Sequence, residues 1–356
     1  MHIKKMTEIE KKKMSKGKKI TLIIVAAIVL VAAYFALNFY KVYFSPNVTE
    51  NQKYLYIKTG SNYDQLVAGM KQKDILKSVS SFTTAAEKMN LAANLKPGRY
   101  RLQKGMTNRT LVNMIKAGNQ DPVKLKFQNI RKKENFAAYL ASNLEADSLS
   151  FIKVLDSTDL ITKSGFNQDN IYTMFIPNTY EMYWNVSPVD FFERMHKEHD
   201  KFWTAERKQK AASLNLTPAQ VYTLASIVDA EALYDKEMPV IAGLYLNRLN
   251  KGILLQADPT VIFANNDFTV KRVTGKLLQV QSLYNTYKYA GLPPGPIMMP
   301  SINAIDAVLN REQNNYIYMC AKEDFSGYHN FAETKAQHEI NAKKYREALN
   351  KKNIFR

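Results

Sequence analysis

An uncharged apolar run, Ile20 to Tyr40, constrains this chain more than any other feature of its sequence. About 20 apolar residues are needed to cross a bilayer as a helix, and this run has that length. A lysine-rich segment precedes the run and aromatic residues stand at its far end, which indicates a cytoplasmic N-terminus. We therefore predict a basic cytoplasmic tail over residues 1–19, one transmembrane helix over residues 20–40 and an outer portion beyond them.

A cleaved signal peptide is the alternative interpretation of this segment. The apolar core of a signal peptide is usually only about 7–15 residues long and is followed by a small-residue cleavage site. No clear Ala-x-Ala site follows residue 40. Both interpretations place residues 45–356 outside the cytoplasm. They exclude chromosomal nucleic acid as a partner, although a formal net charge of +18 would suit nucleic acid, a membrane surface or an anionic wall polymer.

The outer portion divides into a small module and a larger domain. Residues 45–122 alternate short strand patterns with helix patterns, and Ser61-x-x-Asp64 resembles a capping box that opens a helix. Residues 123–350 mix helices with short strands in no regular β–α–β alternation, so we predict the α+β fold class. The single cysteine, Cys320, excludes an intramolecular disulfide. Because no nucleophile motif surrounds this cysteine, we interpret it as a packed side chain.

The region that begins at Thr217 carries the strongest chemical signal. Thr217-Pro-Ala-Gln220 combines a capping threonine, a proline at the first helical position and a glutamine at the third, which predicts a helix that continues to Leu233. At about 100° per residue, Glu231 falls on the shoulder of the apolar face, and Asp229 lies nearer its solvent margin. Burial raises the pKa of a carboxyl group, and a raised pKa suits a general acid near neutral pH. Glu231 is therefore the candidate acid.

A helix-surface glutamate paired with Lys236 or Arg248 is the alternative interpretation of Glu231. The motifs that follow favour a catalytic role. They comprise a polar turn before an apolar run, four side chains able to bond or stack on sugars, a rigid proline loop and two histidines: Leu255–Ile262, Tyr284–Tyr287, Gly291–Ile297, His329 and His338. The two histidines do not have the spacing of zinc ligands, so we predict no metal site.

Together these motifs resemble the endolytic murein transglycosylase family, also called the YceG-like family. Their order and spacing agree from residue 224 to residue 338, and the N-terminal anchor and the small module agree as well. The chain departs from the family pattern at Asp229, where glutamate is usual, and at Ala257, where a polar residue is common. The matching segments are Leu224–Glu231, Asn247–Leu249, Gln256–Val261, Tyr284–Tyr287, Gly291–Gly295, and His329 with Phe331, Thr334 and His338.

The resemblance implies a lytic transglycosylase anchored in the inner membrane, with a LysM-like module at residues 45–122 and a periplasmic catalytic domain at residues 123–350. Such an enzyme cleaves the bond between N-acetylmuramic acid and N-acetylglucosamine in nascent strands and leaves 1,6-anhydro ends, which terminates strand elongation. The resemblance further implies peptidoglycan glycan strands as substrate, peptidoglycan synthases as partners, no cofactor, and Glu231 as both acid and base. The implied substrate-binding residues are Gln256, Asp258, Tyr284, Asn285, Thr286 and His329.

Two rival functions stay open at this point. A muramidase-type hydrolase would use Asp258 or Asp229 as a second carboxylate. A non-catalytic wall-binding scaffold would use the module and the excess positive charge for binding, and Glu231 would be structural. The products distinguish the three functions. A lytic transglycosylase leaves anhydro ends, a hydrolase leaves reducing ends, and a scaffold gives no turnover.

Overall fold

The computed structural model of the protein describes residues 15–270, 273 and 275–352. Most of the predicted basic tail, residues 1–14, therefore lies outside the described residues. The described residues divide into two compact units, with the boundary between residues 121 and 122. Helices dominate both units, and the described strands form three two-stranded antiparallel sheets. This mixed helix and strand content agrees with the predicted α+β class.

Helix α1 contains the apolar run and spans Lys16–Tyr43. It extends beyond residues 20–40 at both ends, and the Ser15 hydroxyl accepts the backbone N–H of Lys18 at its start. None of its residues is buried within the protein. By length and composition α1 can cross a membrane, a criterion that a signal sequence would also meet.

The rest of the first unit surrounds a small core formed by two strands and three helices. Strands β1 (Tyr54–Ile57) and β2 (Gly98–Arg101) pair antiparallel, with Tyr54 opposite Arg101. The capping box of α2 (Tyr63–Gln72) uses Asn62 and Gln65, each one residue later than the predicted Ser61 and Asp64. The Asn62 side chain accepts a hydrogen bond from the backbone N–H of Gln65, and the Gln65 side chain accepts one from the backbone N–H of Asn62. The elements are β1 (Tyr54–Ile57), α2 (Tyr63–Gln72), α3 (Val79–Lys88), β2 (Gly98–Arg101) and α4 (Asn108–Ala117).

The second unit has two adjoining hydrophobic cores. One lies among the helices that follow β3, and the other surrounds α10. Its elements are β3 (Val123–Lys126), α5 (Lys133–Asn143), α6 (Ser148–Leu155), α7 (Thr158–Lys163), β4 (Thr179–Met182), α8 (Pro188–Phe202), α9 (Ala205–Ser213), α10 (Pro218–Glu231), α11 (Met238–Asn250), α12 (Asp258–Asn265), α13 (Ile302–Leu309), β5 (Tyr318–Ala321), β6 (His329–Ala332) and α14 (Lys335–Lys351).

Helix α10 begins as predicted and ends two residues earlier than predicted, at Glu231. Its capping box is complete. The Thr217 hydroxyl accepts a hydrogen bond from the Gln220 backbone N–H, and the Gln220 side chain accepts one from the Thr217 backbone N–H. Residues 221–228 are all buried, so the helix is enclosed on every side instead of presenting one apolar face. Both ends of α10 leave the core: Gln220 at its start is exposed, and residues 229–231 at its end are half-buried. Glu231 is the carboxylate of the last turn that lines a cavity.

Candidate active site

A cavity of about 300 Å³ lies at the C-terminal end of α10. Its walls come from the end of α10, one face of α11, the segment that leads into α12 and the β5–β6 hairpin. The lining residues are Glu231, Leu244, Tyr245, Arg248, Leu255, Gln256, Asp258, Tyr287, Tyr318, Met319, Cys320, Ala321, His329 and His338.

Glu231 has the electrostatic environment that general acid–base chemistry requires. Burial raises the pKa of its carboxyl group to about 7, against an ordinary value of 4.5. The Tyr245 hydroxyl donates a hydrogen bond to Glu231 Oε1 at 2.9 Å, which lowers the pKa and so opposes the effect of burial. The nearby charge of Asp258 raises the pKa further. A carboxyl group with this pKa is protonated in about half of the molecules at neutral pH, so it can both give and take a proton.

Arg248 does not form the ion pair with Glu231 that the surface interpretation requires. Its guanidinium donates to the carbonyl oxygens of Leu254 at 2.8 Å and Ile317 at 2.7 Å, and to Gln256 Oε1 at 2.6 Å. These bonds hold the segment before α12 against the hairpin. Gln256 itself has a positive φ of 53°, a conformation that costs roughly 1 kcal/mol or more for a residue other than glycine and persists because its surroundings enforce it.

Asp258 is the second carboxylate at the cavity. It is the first residue of α12, and its Oδ1 accepts the Tyr287 hydroxyl at 2.6 Å. Its charge contributes to the raised pKa of Glu231, which indicates that the two carboxyl groups act on each other electrostatically. The cavity therefore combines one carboxyl group near its titration point with one carboxylate that a tyrosine orients.

His329 and His338 both line the cavity, on opposite elements of its wall. His329 opens β6, and buried Glu237 holds it twice: Oε1 accepts its backbone N–H at 2.6 Å and Oε2 lies 3.0 Å from ring Nδ1. His338 stacks on Tyr318, with ring centroids 5.1 Å apart, and burial lowers its pKa. In the described part of the chain, no group of three or more His, Cys, Asp or Glu side chains could hold a metal ion.

Three predicted substrate-binding residues, Tyr284, Asn285 and Thr286, do not line the cavity. Asn285 and Thr286 are buried. The Asn285 amide donates to two carbonyl oxygens and its Oδ1 accepts the Tyr287 N–H at 3.1 Å, so it orients the tyrosine that holds Asp258. Thr286 Oγ1 accepts the Ala257 N–H at 3.0 Å and fixes the start of α12. The structure therefore brings Gln256, Asp258 and His329 to Glu231 and gives Asn285 and Thr286 positions that support them.

Tyr284, the third of these residues, also lies away from Glu231. Its ring packs on Phe263 with centroids 4.8 Å apart and lines a different cavity, beside Arg131. Ala257, the other departure from the family pattern, is fully buried, so its side chain faces the core and not the cavity. Sequence spacing could not give these directions, because residues 284–287 form turns and not a regular strand or helix; Asn285 and Thr286 are buried, and Tyr284 and Tyr287 are half-buried.

Asp229 is a structural group in the described chain. Its Oδ2 accepts the Ser301 N–H at 3.0 Å and its Oδ1 accepts the Ser301 hydroxyl at 2.9 Å. Ser301 is the N-cap of α13, so Asp229 joins α10 to the start of α13. Burial raises the pKa of Asp229, and the two hydrogen bonds oppose that shift. Both oxygens are occupied, which leaves Asp258 as the remaining candidate for a second catalytic carboxylate.

Cys320 lies in the cavity wall on β5, opposite Asn330, as a half-buried side chain. Burial raises the pKa of its thiol, and a protonated thiol is a weak nucleophile. Sequence reasoning missed Tyr245, Tyr287 and Glu237 as site residues. Tyr287 had a signal, since it closes the motif that begins at Tyr284, but nothing local marks Tyr245 or Glu237, whose partners are distant in sequence.

Comparison with known proteins identifies relatives of this chain along most of its length. The model of a family described as YceG-like matches residues 55–344. The chain is 27% identical over 315 residues to the endolytic murein transglycosylase of Bacillus subtilis (strain 168), which covers 83% of this chain and 85% of that protein. It is 24% identical over 334 residues to the protein of the same name from Streptococcus pneumoniae serotype 2, where it spans 60% of the relative's length. A crystal structure of a yceG-like protein from Listeria monocytogenes superposes with a TM-score of 0.54 at 25% identity, covering 82% of this chain and 99% of that one.

Proposed function

Because this chain belongs to the YceG-like family, we propose that it is a peptidoglycan lytic transglycosylase that cuts nascent glycan strands internally. Its relatives are named endolytic murein transglycosylases, which supports the assignment to this class of enzyme. The observation that carries the proposal is Glu231, whose carboxyl pKa is raised to about 7 at the wall of the cavity. The bond cleaved joins N-acetylmuramic acid to N-acetylglucosamine, and the product carries a 1,6-anhydro end.

One carboxyl group can perform both proton transfers of this reaction. Protonated Glu231 donates its proton to the glycosidic oxygen as the bond from that oxygen to the anomeric carbon breaks. The resulting carboxylate then removes the proton of the muramoyl 6-hydroxyl, whose oxygen bonds to the same anomeric carbon. The nucleophile belongs to the substrate, so proximity replaces a positioned water and Glu231 ends the cycle protonated.

Asp258 supplies the negative charge that an oxocarbenium-like transition state requires. Tyr287 orients its carboxylate through the 2.6 Å hydrogen bond, and Asn285 fixes the backbone of Tyr287. Such preorganisation is effective because no group has to reorient as charge develops. Gln256 and His329 line the same cavity and are proposed to bind the sugars directly.

The principal rival is a muramidase-type hydrolase in which Asp258 activates a water. Asp229, the other candidate for this role, has both oxygens occupied by Ser301. The scaffold alternative gives no reason for a glutamate held at a pKa near neutrality beside a cavity. The scaffold makes no use of a group that gives and takes a proton, and the hydrolase differs from the lyase in leaving a reducing end in place of an anhydro end.

The decisive experiment is mass spectrometry of products from defined, uncrosslinked, lipid-linked glycan incubated with the full-length protein. We expect anhydromuramoyl ends that arise at internal positions of the strands. Reducing ends would favour the hydrolase, and disaccharides released from one terminus would indicate an exolytic enzyme. Absence of products from a folded protein would favour the scaffold.

We also propose that α1 anchors the protein in the inner membrane, with the N-terminus in the cytoplasm. The support is an apolar helix of sufficient length with no buried residue. A reporter enzyme fused to the C-terminus should be active only outside the cytoplasm, because the single crossing places the second unit there. Cytoplasmic reporter activity, or an N-terminus removed after α1, would contradict the anchor.

The module over residues 45–122 is proposed to be LysM-like and to bind or place glycan strands without chemistry of its own. A groove of about 340 Å³ runs between β1 and α2, and the tyrosines Tyr54 and Tyr56 stand on its strand side. If the module binds glycan, the full-length Tyr56→Ala protein should fold normally and should bind long glycan strands more weakly than the wild type. Peptidoglycan synthases are proposed as partners on the family resemblance alone.

A further inference from the structure

Two large apolar side chains are exposed directly beyond the end of the catalytic helix. Leu233 is 67% exposed and Tyr234 is 39% exposed, and they follow Glu231 by two and three residues. Single exposed apolar residues are common on protein surfaces. A contiguous apolar patch has more meaning, because such patches mark interaction sites and ligand-binding grooves.

Four contacts hold this segment against the turn of the β5–β6 hairpin. The Tyr234 hydroxyl donates to the Ser326 carbonyl oxygen at 3.1 Å, and the Tyr234 ring stacks on Tyr328 with centroids 4.5 Å apart and planes 20° apart. Leu233 packs closely on Gly327, since a Cβ atom added to this glycine would lie 2.4 Å from Leu233 Cδ2. Farther along, Glu237 accepts the backbone N–H of His329. Tyr234 is therefore immobilised before any ligand arrives.

Both sides of this clamp are next in sequence to residues that line the cavity. Tyr328 directly precedes His329, and Tyr234 follows Glu231 by three residues; both His329 and Glu231 line the cavity. A glycan strand that extends out of the cavity past Glu231 and His329 would therefore be able to reach the exposed ring of Tyr234. Because the ring is already ordered, its binding would cost little side-chain entropy.

We propose that Leu233, Tyr234 and Tyr328 form a sugar-binding platform that holds one pyranose ring of the glycan strand next to the ring that reacts. The inference rests on the proposed function and names an additional subsite for it. The C–H face of a pyranose packs on an aromatic ring, and Leu233 offers apolar area to the N-acetyl methyl group. The platform binds sugar and takes no part in proton transfer, which remains with Glu231.

The test measures affinity in the full-length Glu231→Gln protein, which retains the cavity but does not turn over a bound strand. Isothermal titration calorimetry with a defined uncrosslinked glycan oligosaccharide gives its Kd. We expect Tyr234→Ala to weaken binding by roughly three- to tenfold, because an aromatic contact of this kind is worth about 0.5–1.5 kcal/mol. Tyr234→Phe, which retains the ring and loses the bond to Ser326, should retain most of the affinity.

Two further variants complete the test. Tyr183→Ala is the matched control, since Tyr183 is a 55% exposed tyrosine of the same unit that directly follows β4, a strand that contributes no residue to the cavity wall; the Kd of this variant should be unchanged. Leu233→Ser removes an exposed side chain and should weaken binding about two- to threefold, so a folding defect of Tyr234→Ala would not leave the platform unexamined. Equal affinities for the Tyr234, Leu233 and Tyr183 variants would overturn the platform alone. Failure of the Glu231→Gln protein to bind glycan at all would overturn the proposed function as well.

Discussion

Glu231→Gln is expected to reduce glycan cleavage by roughly 10²–10⁴-fold. The substitution preserves the shape of the side chain and an acceptor for the Tyr245 hydroxyl, but the amide can neither donate the proton that the glycosidic oxygen requires nor accept one from the 6-hydroxyl. The measurement is the rate at which anhydro ends appear from uncrosslinked glycan. Glu193→Gln, an exposed glutamate on α8, is the matched control and should retain full activity. Activity of Glu231→Gln within a few-fold of wild type would remove Glu231 from the mechanism.

The same variant should be more stable than the wild type at alkaline pH. The pKa of Glu231 is raised by folding from 4.5 to about 7, so its favourable contribution is fully present below pH 4.5 and is lost as the pH rises through 7. At pH 8 the folded wild type carries a buried carboxylate at a cost on the order of 2–3 kcal/mol, which the neutral amide avoids. Denaturant unfolding at pH 5 and pH 8 should therefore show a gain for Glu231→Gln that is larger at pH 8. A variant that is less stable than wild type at pH 8 would contradict this environment for Glu231.

Gly243→Ala is expected to destabilise the second unit by at least about 2 kcal/mol. Gly243 lies within α11, where a Cβ would stand 2.4 Å from the backbone oxygen of Glu312 and 2.7 Å from Asn314 Nδ2. The backbone of one of the two segments has to move, and Tyr245 lies two residues farther along the helix that would shift. We therefore expect cleavage to fall together with stability. Denaturant unfolding of the full-length protein in detergent, followed by amide hydrogen exchange within the second unit, measures the loss.

Gly69→Ala is the matched control for this prediction, because Gly69 is also inside a helix and an added Cβ would meet no atom within 4 Å. Alanine is favoured over glycine in a helix interior by roughly 1 kcal/mol, so this variant should stabilise the first unit. The two identical substitutions should therefore have effects of opposite sign. Stabilisation by both substitutions would contradict the close approach of Gly243 to the Glu312 backbone.

The features that sequence predicts well are those set by neighbours within one or two helical turns. Thr217, Pro218 and Gln220 fix the start of α10, because a capping box and a proline at the first position act on the backbone of the same turn. The uncharged run likewise predicts α1 from composition and length. From the start of α10, counting residues brings Glu231 to the last turn, and so the candidate acid follows from local pattern.

The surroundings of Glu231 follow from tertiary structure alone. Its partner Tyr245 is 14 residues away on another helix. His329, which lines the cavity, and Glu237, which holds it, are 92 residues apart. Such pairs depend on how helices and hairpins pack, and no periodicity within either segment encodes that packing.

By itself, the sequence determined the apolar helix α1, the start and direction of α10, and Glu231 as the candidate acid, since each depends on interactions between residues close along the chain. Only the tertiary structure decided that residues 221–228 of α10 are all buried, that Asp229 binds Ser301 at the start of α13, and that Asn285 and Thr286 point inward. The physical reason is that burial is a property of the space between elements. A polar side chain near a catalytic motif faces solvent or core according to which backbone donors and acceptors lie within hydrogen-bonding distance after the chain has folded.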